Sequence, residues 1–292
     1  MKSMRNKLTI VKVGGAVVED EGKLTQLLHD FARIDGPKVL VHGGGRKATA
    51  VAAQLGIETR MVEGRRITDR DMLRVVTMVY GGLVNKTIVA RLQALSINAI
   101  GLTGADAGII RSAKRPPVKI TQRLEAPPTT TTQRLEASPT TTQRLEASPT
   151  TIDYGFVGDV RQVDANTLKH LIDSGMTPVI APLTHDGEGH LLNTNADTMA
   201  SETAKALAPL YDVTLVFAFE KAGVLRNPDD ESSVIAVIDR QAFSRYRADG
   251  TISGGMLPKI ENALAATDAG VGRVVITSAQ AIDGTQGTTI IA

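Results

Sequence analysis

Three glycine turns carry the residues best suited to chemistry. Lys12-Val13-Gly14-Gly15 ends one short apolar run, His42-Gly43-Gly44-Gly45 ends the run Val39-Leu40-Val41, and Lys259 follows Gly254-Gly255 by about one helical turn. Residues without a Cβ let the backbone approach a ligand closely, and a helix that starts behind them offers unpaired N–H groups to an anion. Two lysines beside such turns are cations aimed at phosphate. Phosphoryl transfer asks for positioning and for neutralisation of charge on the moving oxygens, which lysines and backbone N–H groups can supply. Each lysine alone reads as a solvated surface charge, and each turn alone as ordinary strand-to-helix geometry. The combination carries the hypothesis.

Rival chemistries fail on spacing. Gly82-Leu83-Val84-Asn85-Lys86-Thr87 approaches a P-loop, but Asn85 stands where glycine must precede the lysine. No G-x-S-x-G elbow accompanies His42, and the three glycines lack the G-x-G-x-x-G spacing of a dinucleotide site. Histidines 29, 42, 170, 185 and 190 form no H-E-x-x-H pair, and the chain has no cysteine, so no metal held by protein side chains is expected. Mg²⁺ bound through a nucleotide's phosphates fits better. A net charge of +2, from 33 basic and 31 acidic residues, and few aromatics argue against nucleic acid. No run approaches the ~18 apolar residues of a membrane span, and the basic N-terminus lacks a signal h-region. The expectation is a cytoplasmic enzyme acting on a small molecule, with neither nucleic-acid nor membrane partner.

The elements that must position these residues alternate. Leu8 to Val13 and Val39 to Val41 read as strands, and residues 23–34 and 46–55 as helices, so the two glycine turns on neighbouring strands face one cleft. Residues 57–67 suit a hairpin. Asp69 caps a helix through Met72, Val75, Val76 and Val79; past Gly81-Gly82 a second helix, 86–95, leads to a strand at 99–103. Residues 153–160 suit another hairpin, 166–174 a helix ended by Gly175, and 177–182 a strand. After a polar loop at 184–190, Asn195 or Asp197 caps a helix to Ala208. The run 213–219 reads as a buried strand, Gly254-Gly255 open the helix bearing Lys259, and strands at 273–277 and 288–291 follow. This alternation predicts an α/β fold with a mainly parallel sheet covered on both faces.

Residues 121–151 break the pattern with three near copies of one unit, TQRLEAPPTT and twice TQRLEASPTT. So little apolar surface cannot offset the entropy of ordering it, and the segment reads as a disordered surface insertion. Lengthening a loop about eightfold costs on the order of 2 kcal/mol, so the fold should survive it.

Read together, Lys12-Val13-Gly14-Gly15, His42-Gly43-Gly44-Gly45, Gly64-Arg65-Arg66-Ile67-Thr68, Asn193-Thr194-Asn195-Ala196-Asp197 and Ile252-Ser253-Gly254-Gly255-Met256-Leu257-Pro258-Lys259 resemble the amino acid kinase family in order and spacing. The resemblance lies with members that phosphorylate an N-acylated glutamate in arginine biosynthesis. It implies an open three-layer α/β/α sandwich in two lobes, residues 1–183 for acyl-glutamate and dimerisation and 184–292 for nucleotide. It also implies transfer of the ATP γ-phosphoryl to the side-chain carboxylate of N-acetyl-L-glutamate. A carboxylate with a pKa near ~4.3 is already ionised at neutral pH, so no general base is needed.

By the same resemblance Lys12 and Lys259 hold the transferring phosphoryl from two sides, with Asp197 between them. Gly14, Gly15, Gly44 and Gly45 contact phosphoryl and substrate through the backbone. Arg66 and Asn193 bind the α-carboxylate and amide of the substrate, Arg66 as a bidentate fork, and Asn195 supports them. Glu220, Lys221, Gly223, Val224 and Leu225, with Thr251, Ile252, Ser253, Gly254 and Gly255, line the nucleotide. The sequence departs from the family at Glu220-Lys221, where Asp and a small or apolar residue are usual. That variant, with the hairpin at 154–160, resembles forms from bacteria whose pathway uses succinylated intermediates. N-succinyl-L-glutamate is therefore an alternative acceptor, with Arg111, Lys114 or Arg115 as the extra cation. A short lead before the first strand and the composition of 278–287 lead to the expectation of a homodimer without arginine feedback. A ligand-sensing domain without catalysis is the remaining alternative.

Overall fold

The computed structural model describes residues 5–62, 64–120 and 150–292. Its spine is an eight-stranded sheet, in spatial order Val237–Ile238, Thr288–Ile290, Arg273–Ser278, Asp212–Phe219, Lys7–Val13, Lys38–His42, Thr177–Ile180 and Ala99–Leu102. Every neighbouring pair is parallel except Arg273–Ser278 with Thr288–Ile290. The mainly parallel α/β sheet expected from the sequence is therefore present.

Both faces of the sheet are buried, and strand periodicity sorts side chains between them. Leu8, Ile10, Val39, Val41, Leu215 and Phe217 pack on one face with the helices Ala165–Asp173, Ala196–Leu207, Arg240–Ala248 and Met256–Asp268. Val11, Val13, Leu40, Val216 and Ala218 pack on the other with Glu21–Arg33, Gly45–Gln54 and the helices between Arg70 and Ala94. Lys12 alternates with Val11 and Val13, so it shares the face of Leu8 and Ile10. That face is the one covered by the helix bearing Asp197.

Register fixes the strand ends at one level. Val13 lies beside both Ala218 and His42, so Gly14 and Gly43 follow at the same edge. This is the carboxyl edge of a parallel sheet, where open α/β folds bind their ligands.

Several local expectations are corrected. Gly81-Gly82 do not separate two helices: Arg70–Val76, a π-helical stretch Thr77–Val84 and Asn85–Ala94 run on without a break. A Cβ at Gly81 would sit in ordinary contact, 3.4 Å from Leu183 Cδ1, so the helix passes close to that strand. Residues 153–160 do not form a hairpin. Gly158–Val163 pairs with Ile110–Lys114, while Gly155, at φ +74°, docks so closely on Thr68 that a Cβ would meet its carbonyl oxygen at 2.3 Å. The loop expected at 184–190 is shorter: Thr184 and His185 belong to the strand Leu183–His185, which pairs antiparallel with Leu191–Asn193. Asn195, not Asp197, caps the following helix, accepting from the Thr198 N–H.

The repeat insertion, read as disordered, falls at 121–149 outside the described residues. Its flanks are described: Val118–Ile120 and Thr150–Ile152 pair antiparallel, so the chain leaves and re-enters at neighbouring points.

Candidate active site

The geometry begins at Lys12. Its Nζ lies 2.6 Å from Asp197 Oδ1, with the side chains 7% and 12% exposed. The contact is charge to charge, and that carboxylate oxygen has no aligned hydrogen-bond donor. Asp197 lies in the first turn of its helix, where the macrodipole favours a carboxylate. Lys259 stands in the same cleft, in the first turn of Met256–Asp268. Burial holds its pKa below the usual lysine range; Asp197 works against that shift and Lys12 adds to it. Glu220, at the exposed margin, supports the Lys259 charge in the same sense as Asp197, with the smallest effect of the three charges.

The two glycine turns meet backbone to backbone. A Cβ on Gly43 would lie 3.0 Å from Gly15 N, and one on Gly15 would lie 3.5 and 3.6 Å from the nitrogens of Gly44 and Gly45. The N–H groups opening Gly45–Gln54 therefore border the space between the turns, with no intrahelical carbonyl to bond. His42 fixes the second turn from behind. It is fully buried, and because a carbonyl only accepts, its Nδ1 carries the proton that goes to Gly43 O at 2.8 Å. Nε2 then accepts from Asn85 Nδ2 at 3.2 Å, and the same amide donates to Val179 O at 2.9 Å. Burial lowers the His42 pKa to about 4, so the ring is neutral and serves as a brace. Asn85, which ruled out a P-loop, belongs to that brace.

On one side of the turns a cavity of about 220 Å³ is lined by Gly44, Gly45, Arg66, Asn193 and Asn195, together with Tyr80 and two further arginines, Arg65 and Arg115. Arg66 is buried, and its Nη2 donates to Gly45 O and Thr49 Oγ1, both at 2.8 Å. A two-bond fork onto a carboxylate therefore requires Arg66 to exchange one of these partners. Asn193 Nδ2 donates to the fully buried Thr68 hydroxyl at 2.9 Å. Of the three cations expected near the insertion, only Arg115 reaches this cavity, and Asp159 already pairs with it through two guanidinium nitrogens. Lys114 lies over the Phe156 ring, and Arg111 donates to Asp186 O.

On the other side, a cleft of about 420 Å³ holds Lys12, Gly14, Gly15, Gly45, Asp197, Glu220, Lys221, Gly223 and Lys259. Beyond it an apolar cavity of about 160 Å³ is lined by Lys221, Gly223, Val224, Leu225, Thr251, Ile252 and Ser253. Gly45 borders the first two spaces, and Lys221, Gly223 and Met256 border the last two. The three form a row along the sheet edge. Gly254 and Gly255 line none of them; Gly255 caps the Lys259 helix. Glu220 faces Arg46 at 3.9 Å, and Lys221 pairs with Glu231 at 3.1 Å.

Sequence reasoning passed over Tyr80, Arg65, Thr194 and Phe219. Tyr80 reads as one more apolar residue on a helix, yet it packs on Gly44, whose Cβ would lie 3.1 Å from its ring. Phe219 reads as the end of a buried strand. Arg65, beside Arg66 in the small hairpin, carried the only signal that was available.

A profile of the Amino acid kinase family matches residues 7–278. The chain is 58% identical over 287 residues to acetylglutamate kinase from Bacteroides thetaiotaomicron, covering 98% of this chain and 99% of the relative. It is also 58% identical over 287 residues to acetylglutamate kinase from Phocaeicola vulgatus, with the same coverage. Among solved structures, smu.665 from Streptococcus mutans superposes with a TM-score of 0.72 at 24% identity over 98% of both chains, a likeness of fold.

Proposed function

Because the chain belongs to the amino acid kinase family, we infer that it is an acetylglutamate kinase, a phosphotransferase with a carboxyl group as acceptor. One observation carries the reading at the level of the site: a cation-rich cleft, holding Lys12, Lys259 and the glycine turns, lies between a polar cavity with arginines and an apolar one. That row suits an acidic acceptor, a polyphosphate and a purine in line. The acceptor carboxylate attacks the γ-phosphorus of ATP, a new O–P bond forms, the bond to the β-phosphate bridge oxygen breaks, and ADP leaves with an acyl phosphate behind.

Lys12 and Lys259 flank the phosphoryl and lower the repulsion between two anions, while Asp197 holds Lys12 in place. The N–H groups at Gly15, Gly44 and Gly45 stabilise charge on the equatorial oxygens as it develops, while Gly14, whose N–H is held by Ala218 O at 3.1 Å, brings the chain close without donating. Arg66 and Asn193 hold the α-carboxylate and the amide, and Asn195 shapes the wall by capping its helix. Lys221, Gly223, Val224, Leu225, Thr251, Ile252 and Ser253 take the base and ribose, with Glu220, Gly254 and Gly255 at the margin. Residues 1–183 supply most of the acceptor side, joined there by Asn193 and Asn195, and 184–292 most of the nucleotide side, joined by Lys12 and the glycine turns. Among the described residues this cleft offers only two carboxylates, Asp197 and Glu220, fewer than an all-protein magnesium site needs, so Mg²⁺ would be held through the nucleotide phosphates. It would supply further neutralisation of the β- and γ-oxygens. Exposed Met78 and Leu83 on the long helix support a homodimer.

The test is an ATP-dependent hydroxamate assay with N-acetyl-L-glutamate and N-succinyl-L-glutamate. Turnover of the acetyl compound is expected. A second reading, preference for the succinyl compound, is favoured by the two arginines beyond Arg66 in the acceptor cavity. Turnover of neither by folded protein with Mg²⁺ would overturn both and leave a ligand-sensing domain.

A further inference from the structure

Phe219 is the last residue of the strand Asp212–Phe219, on the face that carries Lys12 and Phe217. Its ring lies 6° from parallel to that of Phe217, with centroids 6.3 Å apart, so its orientation is set by the core beneath. Two ammonium groups lie over this one ring. Lys259 Nζ is 3.7 Å from the centroid and Lys12 Nζ is 4.7 Å. Cations within about 6 Å of an aromatic centroid are drawn to the negative face of its quadrupole, more strongly where water is excluded.

The arrangement answers a problem the cleft itself poses. Two like charges stand in a partly dehydrated space, with Asp197 paired to Lys12 and Glu220 at the exposed margin. A buried carboxylate set against Lys259 would balance the charge but repel the incoming phosphate. An aromatic face attracts both ammonium groups, carries no net charge and competes only weakly with phosphate oxygen for them. We propose that Phe219 is a positioning residue that holds Lys12 and Lys259 over its ring until the γ-phosphoryl of the nucleotide takes them up. The role in transfer rests on the kinase reading above; the holding of the two cations does not.

The test varies the electrons of the ring and keeps its shape. Phenylalanine at 219 is replaced by its mono-, di- and trifluorinated analogues in the full-length protein, alongside Phe219→Leu and Phe219→Trp. The expected result is a stepwise fall in kcat/KM for ATP with each added fluorine, about tenfold by Phe219→Leu, with Phe219→Trp retaining activity and the KM for N-acetyl-L-glutamate unchanged throughout. A flat fluorine series would overturn the proposal even if Phe219→Leu were impaired, because it would reduce the ring to packing. Proton NMR of the ligand-free protein reads the geometry without turnover. Ring-current upfield shifts of the Lys12 and Lys259 ε-methylene protons, lost in Phe219→Leu, support the holding contact, and ordinary shifts overturn it. Were the parent protein inactive with these upfield shifts present, the kinase reading would fail and the cation–ring contact would stand.

Discussion

Substituting Asp197→Asn removes one charge and almost no volume. At an effective dielectric of about 20, two unit charges ~4 Å apart attract by about 4 kcal/mol, and Lys12 Nζ is closer than that to Asp197. Breaking a buried pair by removing one member typically costs ~3–5 kcal/mol, because the other charge is left buried and uncompensated. Both side chains keep slight exposure, so a loss near the lower end, about 3 kcal/mol of stability, is expected. Function is affected through Lys259. Its pKa, already lowered by burial, is supported by Asp197 and opposed by Lys12. Removing Asp197 leaves burial and Lys12 opposed only by the weaker Glu220, so the pKa falls further. The protonated amine is the active form; activity is held below its pKa and lost as pH rises through it. The alkaline limb of kcat should therefore move to lower pH, on top of a fall in kcat of about 100-fold. Hydroxamate assays between pH 6 and 10 on parent and variant give both numbers. An alkaline limb that stays in place or moves up would refute the argument that Asp197 sustains the charge on Lys259.

Further outcomes follow from individual contacts. His42 has a folded pKa of about 4 against an ordinary value of 6.5, so the unfolded chain binds the proton first as pH falls; stability should drop by about 3 kcal/mol between pH 6.5 and 4 through this residue. Urea midpoints across that range should show the drop in the parent and a shallower one in His42→Asn; equal slopes would count against it. Gly43→Ala sets a Cβ 3.0 Å from Gly15 N and should part the two turns, lowering kcat about tenfold or more with the fold intact by circular dichroism; a kcat within twofold would show that the turns give way freely. Replacing residues 121–149 by a two-residue Asn-Gly turn across the strands Val118–Ile120 and Thr150–Ile152 should leave kcat and both KM values within about twofold. A large change would mean that the insertion takes part in catalysis.

Much of this was legible in the sequence because it rests on local rules. Period-two alternation, glycines at strand ends and a lysine one turn into a helix fix the sheet, the turns and the face on which Lys12 lies. What those rules miss depends on partners far away in the chain. Gly81 and Gly82 look like a break in any window of sequence, yet the helical run continues through them, with Leu183 and Thr103 beside Gly81 from another layer. Residues 153–160 alternate like a hairpin, but their backbone pairs with Thr68, Asn193, Arg115 and the strand Ile110–Lys114 instead of with itself.

The same distinction runs through the site. Lys12 and Lys259 could be named from sequence because each stands beside a glycine turn, and Asp197 because its motif resembles that of the family. Phe219 could not, because a phenylalanine ending a buried strand is what packing alone would choose; only the positions of two ammonium groups over its ring give it a second role. His42 is a middle case. Its type drew attention, but its use turned out to be structural: a carbonyl on one nitrogen, an amide on the other and full burial leave no proton to exchange. A histidine so held cannot serve as a general base. Nor does the reaction need one, since the attacking carboxylate is already an anion and the cleft has only to hold it against a second anion. On the proposed reading the site divides into Lys12 and Lys259 as the cations for the phosphoryl group, Asp197 as the anion paired with Lys12, and the neutral groups His42, Asn85 and Phe219 behind the backbone and those cations.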